Sequence, residues 1–588
     1  MWIHHGLGII AQKLRGKARE RMKNREVARI LYEVADLLEL EGVEFKPRAY
    51  RRAAQAVESC PVPIEELVRE GRVTELPGVG KSIAEKIEEI VKTGKLRYHE
   101  ELKKKLPVDL HSLTQVEGVG PRIAKLLYEH LGVRNLDDLE RAAKEHRIRT
   151  IPGLGPKVEE KILRGLAEAR RAERRILLGH ALPLAEELRD KLQGSGLFQR
   201  VEIAGSVRRG KETIGDIDIL GISDRPCEGA EFFAHLPGVQ EVLAKGPKKV
   251  SVKLSDGVQV DLRIVPEESF GAALQYFTGS QAHNIRLRER ALSMGLKLNE
   301  YGVFRGEERI AGRTEEEVYR VLGLPWIPPE LREDQGEIQA AEAGRLPRLV
   351  EASEILGDLH VHTDRSDGRG TLAEMVAAAR ELGLRYIAIT DHFRFAQAIP
   401  GLSPDDLREQ IEEIQELNTK LQDFRVLAGV EANILPDGTI DVPEELLREL
   451  DIVIASVHTH MRMPRKQMTA RLLRAVENEH VDIIGHPSGR LIGERAPYEA
   501  DWDEIFRRAA KMGTLLEVNA TPQRLDLNAE HIKLALEHGV RLALGTDAHH
   551  PSHLTFIRYG VITARRGWAQ AGDIVNTLPP EKLLSVLK

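Results

Sequence analysis

Hydrophobic residues are spaced in three different ways along the 588-residue chain. In residues 22–175 they recur three and four positions apart, as in NREVARILYEVADLLELEG, and this spacing predicts amphipathic helices. Residues 176–330 carry short apolar runs between helical segments, among them RVEIAG, DIDILGI, KVSVKL and VQVDLRIV, which predicts a mixed α/β region. The Pro-rich and charged segment 325–347 follows, and it is interpreted as a linker.

From residue 355 onward, an apolar strand, a loop and a helix alternate repeatedly. The sequence contains seven such strands: LHVHT, YIAIT, VLAGVEA, DIVIASVH, VDIIGH, LLEVNA and RLALGT. A strand–helix repeat of this kind predicts a parallel sheet that closes into a barrel. Because the chemistry of such barrels lies at the C-terminal ends of the strands, candidate ligands are expected there.

A short glycine-containing unit recurs in the helical region, as LPGVGKSIAEKI (76–87), VEGVGPRIAKLL (116–127) and IPGLGPKVEEKI (151–162). Each unit predicts a tight turn that opens a helix, where the glycines let a phosphate approach backbone N–H groups. It matches the helix-hairpin-helix motif, which binds nucleic-acid backbone without reading sequence. DNA contacts are therefore expected at the glycines and adjacent basic residues of the three units: Gly78, Gly80, Lys81, Gly118, Gly120, Arg122, Gly153, Gly155 and Lys157.

Charge is distributed unevenly along the chain. Residues 1–175 hold 36 Lys and Arg against 28 Asp and Glu, a net charge of +8. The rest of the chain holds 50 Lys and Arg against 64 Asp and Glu, a net charge of −14. A basic first part favours a polyanionic partner, although two solvated surfaces of different composition would give the same counts. The only cysteines, Cys60 and Cys227, exclude a disulfide framework and predict a reducing, cytoplasmic location. No apolar run has the length of a bilayer span and no signal peptide is evident, so no membrane partner is expected.

Three carboxylates form the first candidate metal centre. Strand alternation in AGSVRRGKETIGDIDIL places Asp216 and Asp218 on one face, and VQVDLRIV brings Asp261 on the next strand. Grouping buried like charges is costly unless cations neutralise them, and Mg²⁺ prefers such oxygen ligands. Two such ions serve in-line phosphoryl transfer. Taken alone, an Asp-x-Asp pair is equally compatible with a strand whose acids face solvent.

The surrounding residues resolve this ambiguity in favour of a metal site. Gly205-Ser206 with Arg208-Arg209 precedes the acids, and YFTGSQAHNIRLRERA (276–291) follows them. From residue 22 to about 325 the chain resembles the X family of DNA polymerases, which implies a nucleotidyltransferase palm with two Mg²⁺ ions on Asp216, Asp218 and Asp261. The resemblance further implies that a deoxynucleoside triphosphate contacts Gly205, Ser206, Arg209, Gly215, Tyr276, Phe277, Gly279, Asn284 and Arg288. Two positions depart from polymerase beta: Gln281 replaces an aspartate near the base, and Gln259 replaces an arginine near the primer end.

The first helical segment also resembles the lyase domain of polymerase beta. Lys86 stands at the position of the Schiff-base lysine of that family, and Lys46 and Tyr50 stand at positions that hold a DNA 5′ end. An amine attacks the aldehyde of an abasic sugar only when it is deprotonated. Lys86 also lies on a helix that would carry a lysine in any case, so the lyase role rests on the resemblance.

Nine ligand-type residues follow six of the seven barrel strands and form the second candidate metal centre. They are His360, His362, Asp367, His392, Glu431, His458, His486, Asp547 and His549. One buried histidine is usually a core residue, but nine converging His, Asp and Glu residues predict a cluster, and their mixed N and O donors suit Mn²⁺, Zn²⁺ or Fe²⁺. This part resembles the PHP (polymerase and histidinol phosphatase) family, which implies a distorted seven-stranded barrel, a trinuclear site and an active phosphoesterase. Arg490 and Arg524 are candidates for holding the substrate phosphate.

The order of these regions resembles bacterial and archaeal X-family polymerases with a C-terminal PHP domain. The implied function is gap filling in DNA repair by a DNA polymerase that also carries a Mn²⁺- or Zn²⁺-dependent 3′→5′ exonuclease, with abasic-site cleavage, 3′-phosphate removal and 5′-dRP lyase as further activities. The expected partners are gapped or nicked duplex DNA and deoxynucleoside triphosphates, and the expected state is a monomer. The alternatives are a DNA-binding protein whose barrel hydrolyses a small ester such as histidinol phosphate, and a polymerase whose barrel is only structural.

The predicted fold class is multi-domain, with helix-hairpin-helix domains, an α/β palm and thumb, and a distorted (β/α)7 PHP barrel. The predicted boundaries are an N-terminal extension (1–21), a lyase-like domain (22–100), a helix-hairpin-helix domain (101–175), the palm (176–265), the thumb (266–327), a linker (328–354) and the PHP domain (355–588).

Overall fold

A computed structural model describes the chain in two compact units. The described residues are 24, 27–38, 43, 46–58, 64–76, 78–105, 108–114, 116, 118–173, 175–393 and 401–588. The first unit comprises Met1–Arg174 with Arg365–Asp367 and Arg394–Leu402, and the second unit comprises Arg175–Asp364, Gly368–Phe393 and Ser403–Lys588. The predicted N-terminal extension 1–21 lies outside the described residues. Within the part of the chain that is described, no helix has the length and apolar character needed to cross a bilayer.

The first unit is built from helices that share one hydrophobic core. Residues 27–38 are helical. The helices that follow are α1 (Lys46–Glu58), α2 (Ile64–Glu70), α3 (Lys81–Thr93), α4 (Arg97–Lys105), α5 (Leu110–Thr114), α6 (Pro121–Leu131), α7 (Leu136–Lys144) and α8 (Pro156–Glu173), with 3-10 turns at Val73–Glu75 and Ile148–Thr150. Their apolar faces meet in a core that includes Leu31, Ile87, Leu127 and Ile162. This confirms the helical prediction, since residues three and four apart share a face of a helix.

The second unit begins with the palm. Its elements are β1 (Ile176–Leu177), α9 (Leu178–Gly194), β2 (Arg200–Ile203), α10 (Gly205–Arg208), β3 (Thr213–Ile214), β4 (Ile217–Ile222), α11 (Pro226–Ala234), β5 (Val239–Lys245), β6 (Lys249–Leu254) and β7 (Gln259–Ile264). Five of the strands form a sheet in the order β2-β4-β7-β6-β5, and only the central neighbours β4 and β7 are parallel. In this register Asp218 lies directly opposite Asp261.

The thumb follows the palm and is joined to it by an ion pair. Its elements are α12 (Phe270–Thr278), α13 (Gln281–Ser293), the antiparallel strands β8 (Lys297–Asn299), β9 (Gly302–Arg305) and β10 (Glu308–Ala311), and α14 (Glu315–Val321). The buried carboxylate of Glu315 accepts two hydrogen bonds from Arg208 of the palm, at 2.8 and 2.7 Å. Two-point pairing of a guanidinium with a carboxylate fixes orientation as well as distance, so the palm and the thumb are held in register.

The segment predicted as a linker is folded against the thumb at residues 329–342. It contains a 3-10 turn (Pro329–Leu331) and helix α15 (Glu337–Glu342), and Leu331 and Ile338 belong to the thumb core. Arg332 is fully buried and donates to Glu315 at 2.6 Å. Glu337 is also fully buried and lies 2.6 Å from His283 Nδ1. Two of the charges that suggested a linker, Arg332 and Glu337, are therefore paired inside the protein.

The C-terminal half forms a nearly closed parallel barrel. Its elements are β11 (Gly357–Val361), α16 (Leu372–Glu381), β12 (Tyr386–Ile389), α17 (Pro404–Lys420), β13 (Arg425–Asn433), α18 (Glu444–Leu447), β14 (Ile452–Ser456), α19 (Arg465–Val476), β15 (Ile483–Ile484), α20 (Trp502–Met512), β16 (Leu515–Asn519), α21 (Ala529–Glu537), β17 (Leu542–Gly545), α22 (Ile557–Arg566) and α23 (Pro580–Leu584). The seven strands lie in sequence order, and a parallel bridge between Val361 and Ala548 joins the first strand to the end of the last. The predicted seven-stranded barrel is confirmed.

The palm and the barrel share a hydrophobic core. Leu525 and Tyr559 of the barrel belong to the same buried cluster as Leu178 and Ile214 of the palm. Around this core, Arg558 of α22 donates to Glu186 of α9 at 2.8 Å. Continuous apolar burial of this kind makes the palm and the barrel one body rather than two tethered domains.

Candidate functional sites

The palm carboxylates meet at the parallel pair of central strands. Asp216 immediately precedes β4, Asp218 lies within it, and Asp261 is the register partner of Asp218 on β7. Lys249 Nζ lies 2.7 Å from Asp261 Oδ2, and Gln259 Nε2 donates to Asp261 Oδ1 at 3.0 Å. The predicted three-carboxylate cluster is thus assembled by strand pairing.

Mutual repulsion is evident in the pKa values of these groups. Burial, together with the neighbouring Asp216 and Asp261, raises the pKa of Asp218 to about 7. Burial and Asp261 likewise raise the pKa of Asp216. Burial alone would raise the pKa of Asp261, but hydrogen bonds from Lys249, Gln259 and Ser251 outweigh it and hold this pKa below its ordinary value. Carboxylates that resist ionisation together are the ligands that a divalent cation stabilises, so the residues fit a metal site.

A cavity of about 680 Å³ opens beside these carboxylates, between palm and thumb. It brings together every residue that the polymerase resemblance assigned to nucleotide contact: Gly205, Ser206, Arg209, Gly215, Tyr276, Phe277, Gly279, Asn284 and Arg288. Gln281, one of the two departures from polymerase beta, also lines it. Their roles in nucleotide binding stay predictions, but their shared location is what those roles require.

Three charged residues line the same cavity and were missed from the sequence: Arg175, Lys211 and Glu333. Arg175 Nε donates to Thr213 Oγ1 at 2.7 Å. Arg175 precedes the first palm strand, and Glu333 lies in the segment interpreted as a linker, so neither belongs to a recognisable motif. Lys211 immediately follows the Ser206–Gly210 run, and its proximity to that motif was the one available signal.

The barrel ligands gather around the buried carboxylate of Glu431. Glu431 Oε1 lies 2.9 Å from His486 Nε2 and 3.2 Å from His458 Nε2. The other oxygen, Oε2, lies 3.1 Å from His392 Nδ1, 3.4 Å from His360 Nε2 and 3.5 Å from His362 Nε2. Asp547 Oδ1 is 3.4 Å from His362 Nε2. The ring centroids of His362 and His549 are 4.3 Å apart, so His549 joins the same group.

Ligand atoms within this cluster separate into groups of metal-binding size. One group comprises His360, His362 and Asp547, and another comprises His392, Glu431 and His458, with the atoms of each group within 4.8 Å of one another. Asp367 follows β11 in the short segment that belongs to the first unit, and its ligand role stays a prediction. Imidazole and carboxylate donors in one cluster suit transition-metal ions such as Mn²⁺ or Zn²⁺.

A second layer of polar residues orients the ligands and was missed from the sequence. Glu517 of β16 lies 2.6 Å from His360 Nδ1, and Asn433 Oδ1 lies 2.7 Å from His458 Nδ1. By contrast, His360 Nε2 is buried and has no hydrogen-bond partner among the described residues. A histidine that is held through one ring nitrogen and directs the other into a carboxylate-lined site has the arrangement of a metal ligand.

Charge balance in the barrel centre depends on these contacts. Burial lowers the pKa of His360, but Glu517 and Glu431 outweigh it and hold this pKa well above its usual range. Burial raises the pKa of Glu431, but His458 and His360 hold it well below its ordinary value. Burial, reinforced by Arg524, lowers the pKa of His486 to about 3, which leaves its imidazole neutral and able to bind a cation.

The two arginines considered for substrate phosphate have different surroundings. Arg524 Nε lies 3.5 Å from Asp547 Oδ2, at the ligand cluster. Arg490 instead pairs with Glu212 of the palm through two hydrogen bonds, at 3.0 and 2.6 Å. Arg490 therefore joins the barrel to the palm, because its guanidinium is engaged by a carboxylate from the other half. Of the two arginines, Arg524 is the one that lies at the ligand cluster, and its contact with a substrate phosphate stays a prediction.

The three helix-hairpin-helix units adopt one backbone conformation. The first glycine of each unit has a positive φ, +76° at Gly78, +91° at Gly118 and +88° at Gly153, which L side chains rarely adopt. The next residue donates its backbone N–H three residues back, at 3.0 Å for Val79 to Leu76 and 2.9 Å for both Val119 to Val116 and Leu154 to Ile151. Gly80 and Gly120 cap α3 and α6, and Gly155 precedes α8. The basic residues beside these turns, Lys81, Arg122 and Lys157, are exposed.

Two of the candidate lyase residues, Lys86 and Tyr50, are linked through Tyr98 in the first unit. Lys86 Nζ donates to Ser82 O and Ser82 Oγ at 3.0 and 3.1 Å and lies 5.7 Å from the centroid of the Tyr98 ring. Tyr98 in turn stacks on Tyr50, which is buried. Lys46 is exposed at the start of α1. Their assignment to lyase chemistry and to a DNA 5′ end stays a prediction.

Comparisons with known proteins agree with this arrangement. Four family models match: a helix-hairpin-helix domain at residues 22–96, a SAM-like helix-hairpin-helix tandem at 110–168, the DNA polymerase beta thumb at 273–333 and the PHP domain at 358–521. The DNA polymerase/3′-5′ exonuclease PolX of Bacillus subtilis (strain 168) is 39% identical over 572 residues, covering 96% of this chain and 100% of that protein. A probable phosphatase of Caldanaerobacter subterraneus subsp. tengcongensis is 35% identical over 206 residues, 33% of this chain and 75% of that one.

Among solved structures, a ternary P/T complex of Leishmania infantum polymerase beta is 26% identical and covers 38% of this chain and 97% of its own, with a TM-score of 0.27. Helix-hairpin-helix domains, a polymerase beta thumb and a PHP domain in one chain define an X-family polymerase with a PHP barrel. The chain belongs to the family of the DNA polymerase/3′-5′ exonuclease PolX.

Proposed function

We infer that this chain is a DNA-directed DNA polymerase that carries a 3′→5′ exonuclease in its PHP barrel. The observation that carries the polymerase activity is the cavity that joins Asp216 and Asp218 to Ser206 and Arg209. Divalent ions bound to the carboxylates would neutralise charge on the transferring phosphoryl group. The chain itself supplies Arg175, Arg209 and Lys211, whose positive charges suit a triphosphate, and Tyr276 and Phe277, whose rings line the same cavity.

The exonuclease is assigned to the cluster around Glu431. Metal ions held there would polarise a phosphodiester and activate water for hydrolysis. The contribution of the chain is to hold imidazoles and carboxylates at fixed positions, through Glu517 behind His360 and Asn433 behind His458. Arg524, beside Asp547, is placed to hold a substrate phosphate. The mixed imidazole and carboxylate donors support Mn²⁺ or Zn²⁺ in this centre, with Mn²⁺ proposed as the best activator, and the carboxylate donors of the palm support Mg²⁺.

The finer assignments belong to the same proposal. The substrate is a short gap or nick in duplex DNA, because helix-hairpin-helix turns bind backbone without sequence preference and the two centres insert and remove nucleotides. The barrel also cleaves abasic sites or removes 3′-phosphates, and Lys86 gives 5′-dRP lyase activity. The protein acts as a monomer.

A second candidate is supported by the similarity of the barrel to probable phosphatases. In this candidate the barrel hydrolyses a small phosphate ester, such as histidinol phosphate, instead of DNA. Release of phosphate from histidinol phosphate, with no loss of primer length under the same conditions, would favour this candidate over the exonuclease.

Reciprocal variants on a gapped duplex test the proposed function. Asp218→Ala should abolish nucleotide insertion while primer digestion continues, and the double variant His360→Ala/His362→Ala should digest no primer yet extend one. Asp224→Ala in the palm and His538→Ala in the barrel are matched controls, since both lie outside the ligand clusters and are exposed or partly exposed. Normal extension by the Asp218 variant would refute the palm assignment, and undiminished digestion by the double histidine variant would refute the barrel assignment.

A further inference from the structure

The barrel reaches the nucleotide cavity of the palm through the last turn of α22. Arg566, at the C-terminal end of this helix, is buried and donates from Nη1 to the backbone carbonyl of Arg209 at 2.6 Å. The same nitrogen lies 3.2 Å from Glu333 Oε1. Arg209 and Glu333 both line the cavity. A residue of the PHP half thus contacts the backbone of Arg209, a residue that lines the nucleotide cavity, and the carboxylate of Glu333.

The turn that carries Arg209 is packed against this helix. Gly210 has φ of +63°, and a Cβ atom built on it would lie 2.2 Å from Ile562 Cγ2 and 3.6 Å from Arg566 Cδ. Only glycine allows this backbone conformation and this close approach together. The backbone between Arg209 and Lys211 is therefore shaped by contact with α22, and the two cations it carries take their positions from that contact.

Glu333 links these cations to one another. Its Oε1 lies 3.0 Å from Arg209 Nε, 3.8 Å from Lys211 Nζ and 3.2 Å from Arg566 Nη1. Arg209 is also held by the carbonyl of Thr278 in the thumb helix α12. A lone carboxylate in an anion-binding cavity would oppose a triphosphate and draw Arg209 and Lys211 to itself. The third cation, Arg566, shares that negative charge from outside the cavity.

We propose that Arg566 is a positioning residue for the nucleotide site: the PHP barrel orients Arg209 and offsets Glu333 so that Arg209 and Lys211 remain available to the triphosphate. The inference rests on the proposed polymerase function. It assigns the barrel a role in insertion that is separate from its own metal centre, because Arg566 acts at the opposite end of α22 from the ligands Asp547 and His549, which precede the helix.

Single-nucleotide gap insertion in the full chain tests this, with kcat and the KM for the nucleotide measured separately. Arg566→Ala should raise the KM for the deoxynucleoside triphosphate about tenfold or more, with a smaller change in kcat, because a misplaced binding group costs affinity steeply. Arg566→Lys should give an intermediate KM, since lysine keeps the charge but offers a single ammonium in place of the planar guanidinium.

Arg558→Ala is the matched control. Arg558 is an arginine of the same helix and also pairs with a palm carboxylate, Glu186, at 2.8 Å, but it is not a cavity residue. It should leave the nucleotide KM within about twofold of the parent, as expected for an ordinary interdomain ion pair. Equal exonuclease rates in Arg566→Ala and Arg558→Ala would show that the barrel is equally intact in both variants.

The outcomes separate the inference from the function on which it rests. If the parent chain inserts no nucleotide, the proposed polymerase function fails. If the parent inserts nucleotides and Arg566→Ala raises KM no more than Arg558→Ala, the positioning role of Arg566 is overturned. If thermal melting shows that Arg566→Ala does not fold, Arg566→Lys and Ile562→Ala decide instead. A nucleotide KM equal to that of the parent in both of these variants refutes the positioning role.

Discussion

Glu517 Oε1 lies 2.6 Å from His360 Nδ1, and this buried pair joins two barrel strands whose residues are 157 positions apart in the chain. The carboxylate also accepts a hydrogen bond from the backbone N–H of His486. One side chain that is not itself among the predicted ligands therefore orients two of them. Removing the Glu517 carboxylate should therefore lower the metal affinity of the barrel without unfolding it.

Glu517→Gln should weaken metal binding to the barrel by about 10–100-fold, because the neutral amide no longer fixes the tautomer of His360 or supports its basicity. Mn²⁺ titration of primer digestion, with bound metal quantified by mass spectrometry, measures this. Asp482→Asn is the control, since Asp482 is a buried barrel carboxylate that hydrogen-bonds Val453 N at 2.8 Å and precedes the strand instead of following it. Equal Mn²⁺ dependence in both variants would contradict the orienting role of Glu517.

DNA binding should depend on the left-handed glycines of the helix-hairpin-helix turns. Gly153→Ala, at φ of +88°, should weaken binding to gapped duplex, because the strained turn no longer presents its N–H groups to phosphate. Gly132→Ala is a matched control with φ of +70°, equally open surroundings and a place at the end of α6 instead of in a repeat turn. Fluorescence anisotropy over a range of salt concentrations measures both, and affinity should fall as salt rises. Equal weakening by the two substitutions would point to lost stability instead of lost contact.

Glu33 should make the stability of the first unit depend on pH below about 4.5. Burial raises the pKa of its carboxyl, but His99 and Lys103, at 2.8 and 3.0 Å, outweigh burial and lower this pKa to about 2. A depressed carboxyl pKa stabilises the folded state above the unfolded value and loses that contribution as pH falls toward the folded value.

The parent should therefore exceed Glu33→Gln in stability by about 2–3 kcal/mol above pH 4.5, and the difference should vanish toward pH 2. Hydrogen exchange of amides in residues 27–38 and α4, corrected for the intrinsic pH dependence of exchange, measures the difference. A gap that stays constant from pH 5 to pH 2 would show that Glu33 acts through packing and not through its charge.

Lys86 should form the covalent link to an abasic 5′ end if the first unit has lyase activity. Borohydride should trap the parent chain on a 5′-deoxyribose phosphate substrate and fail to trap Lys86→Ala. Lys92→Ala, on the same helix and paired with Glu88 at 2.9 Å, should be trapped like the parent. Trapping of Lys86→Ala at the parental level would place the nucleophile on another amine, and no trapping of the parent would remove the lyase assignment.

The sequence by itself determined the features that depend on local geometry. Strand alternation and the strand–helix repeat predicted the seven strands and the ligand positions at their ends, and the structure confirms the barrel. The tight turns at the glycines of the three repeated units were predictable for the same reason, because a positive φ depends only on one residue and its neighbours. Asp216 and Asp218 are two residues apart in the chain, one just before β4 and one within it, so their proximity also needed no long-range information.

Only the tertiary structure decided which distant charges became partners. Nothing around Glu517 in LLEVN distinguishes it from a buried strand residue, since its function lies in a contact with His360. From the sequence, the charges of the predicted linker were expected to face solvent. In the structure, Arg332 pairs with Glu315 and Glu337 pairs with His283. Charge pairing inside a protein is set by packing between elements far apart in the chain, because burying a charge is tolerated only where the fold brings a partner to it.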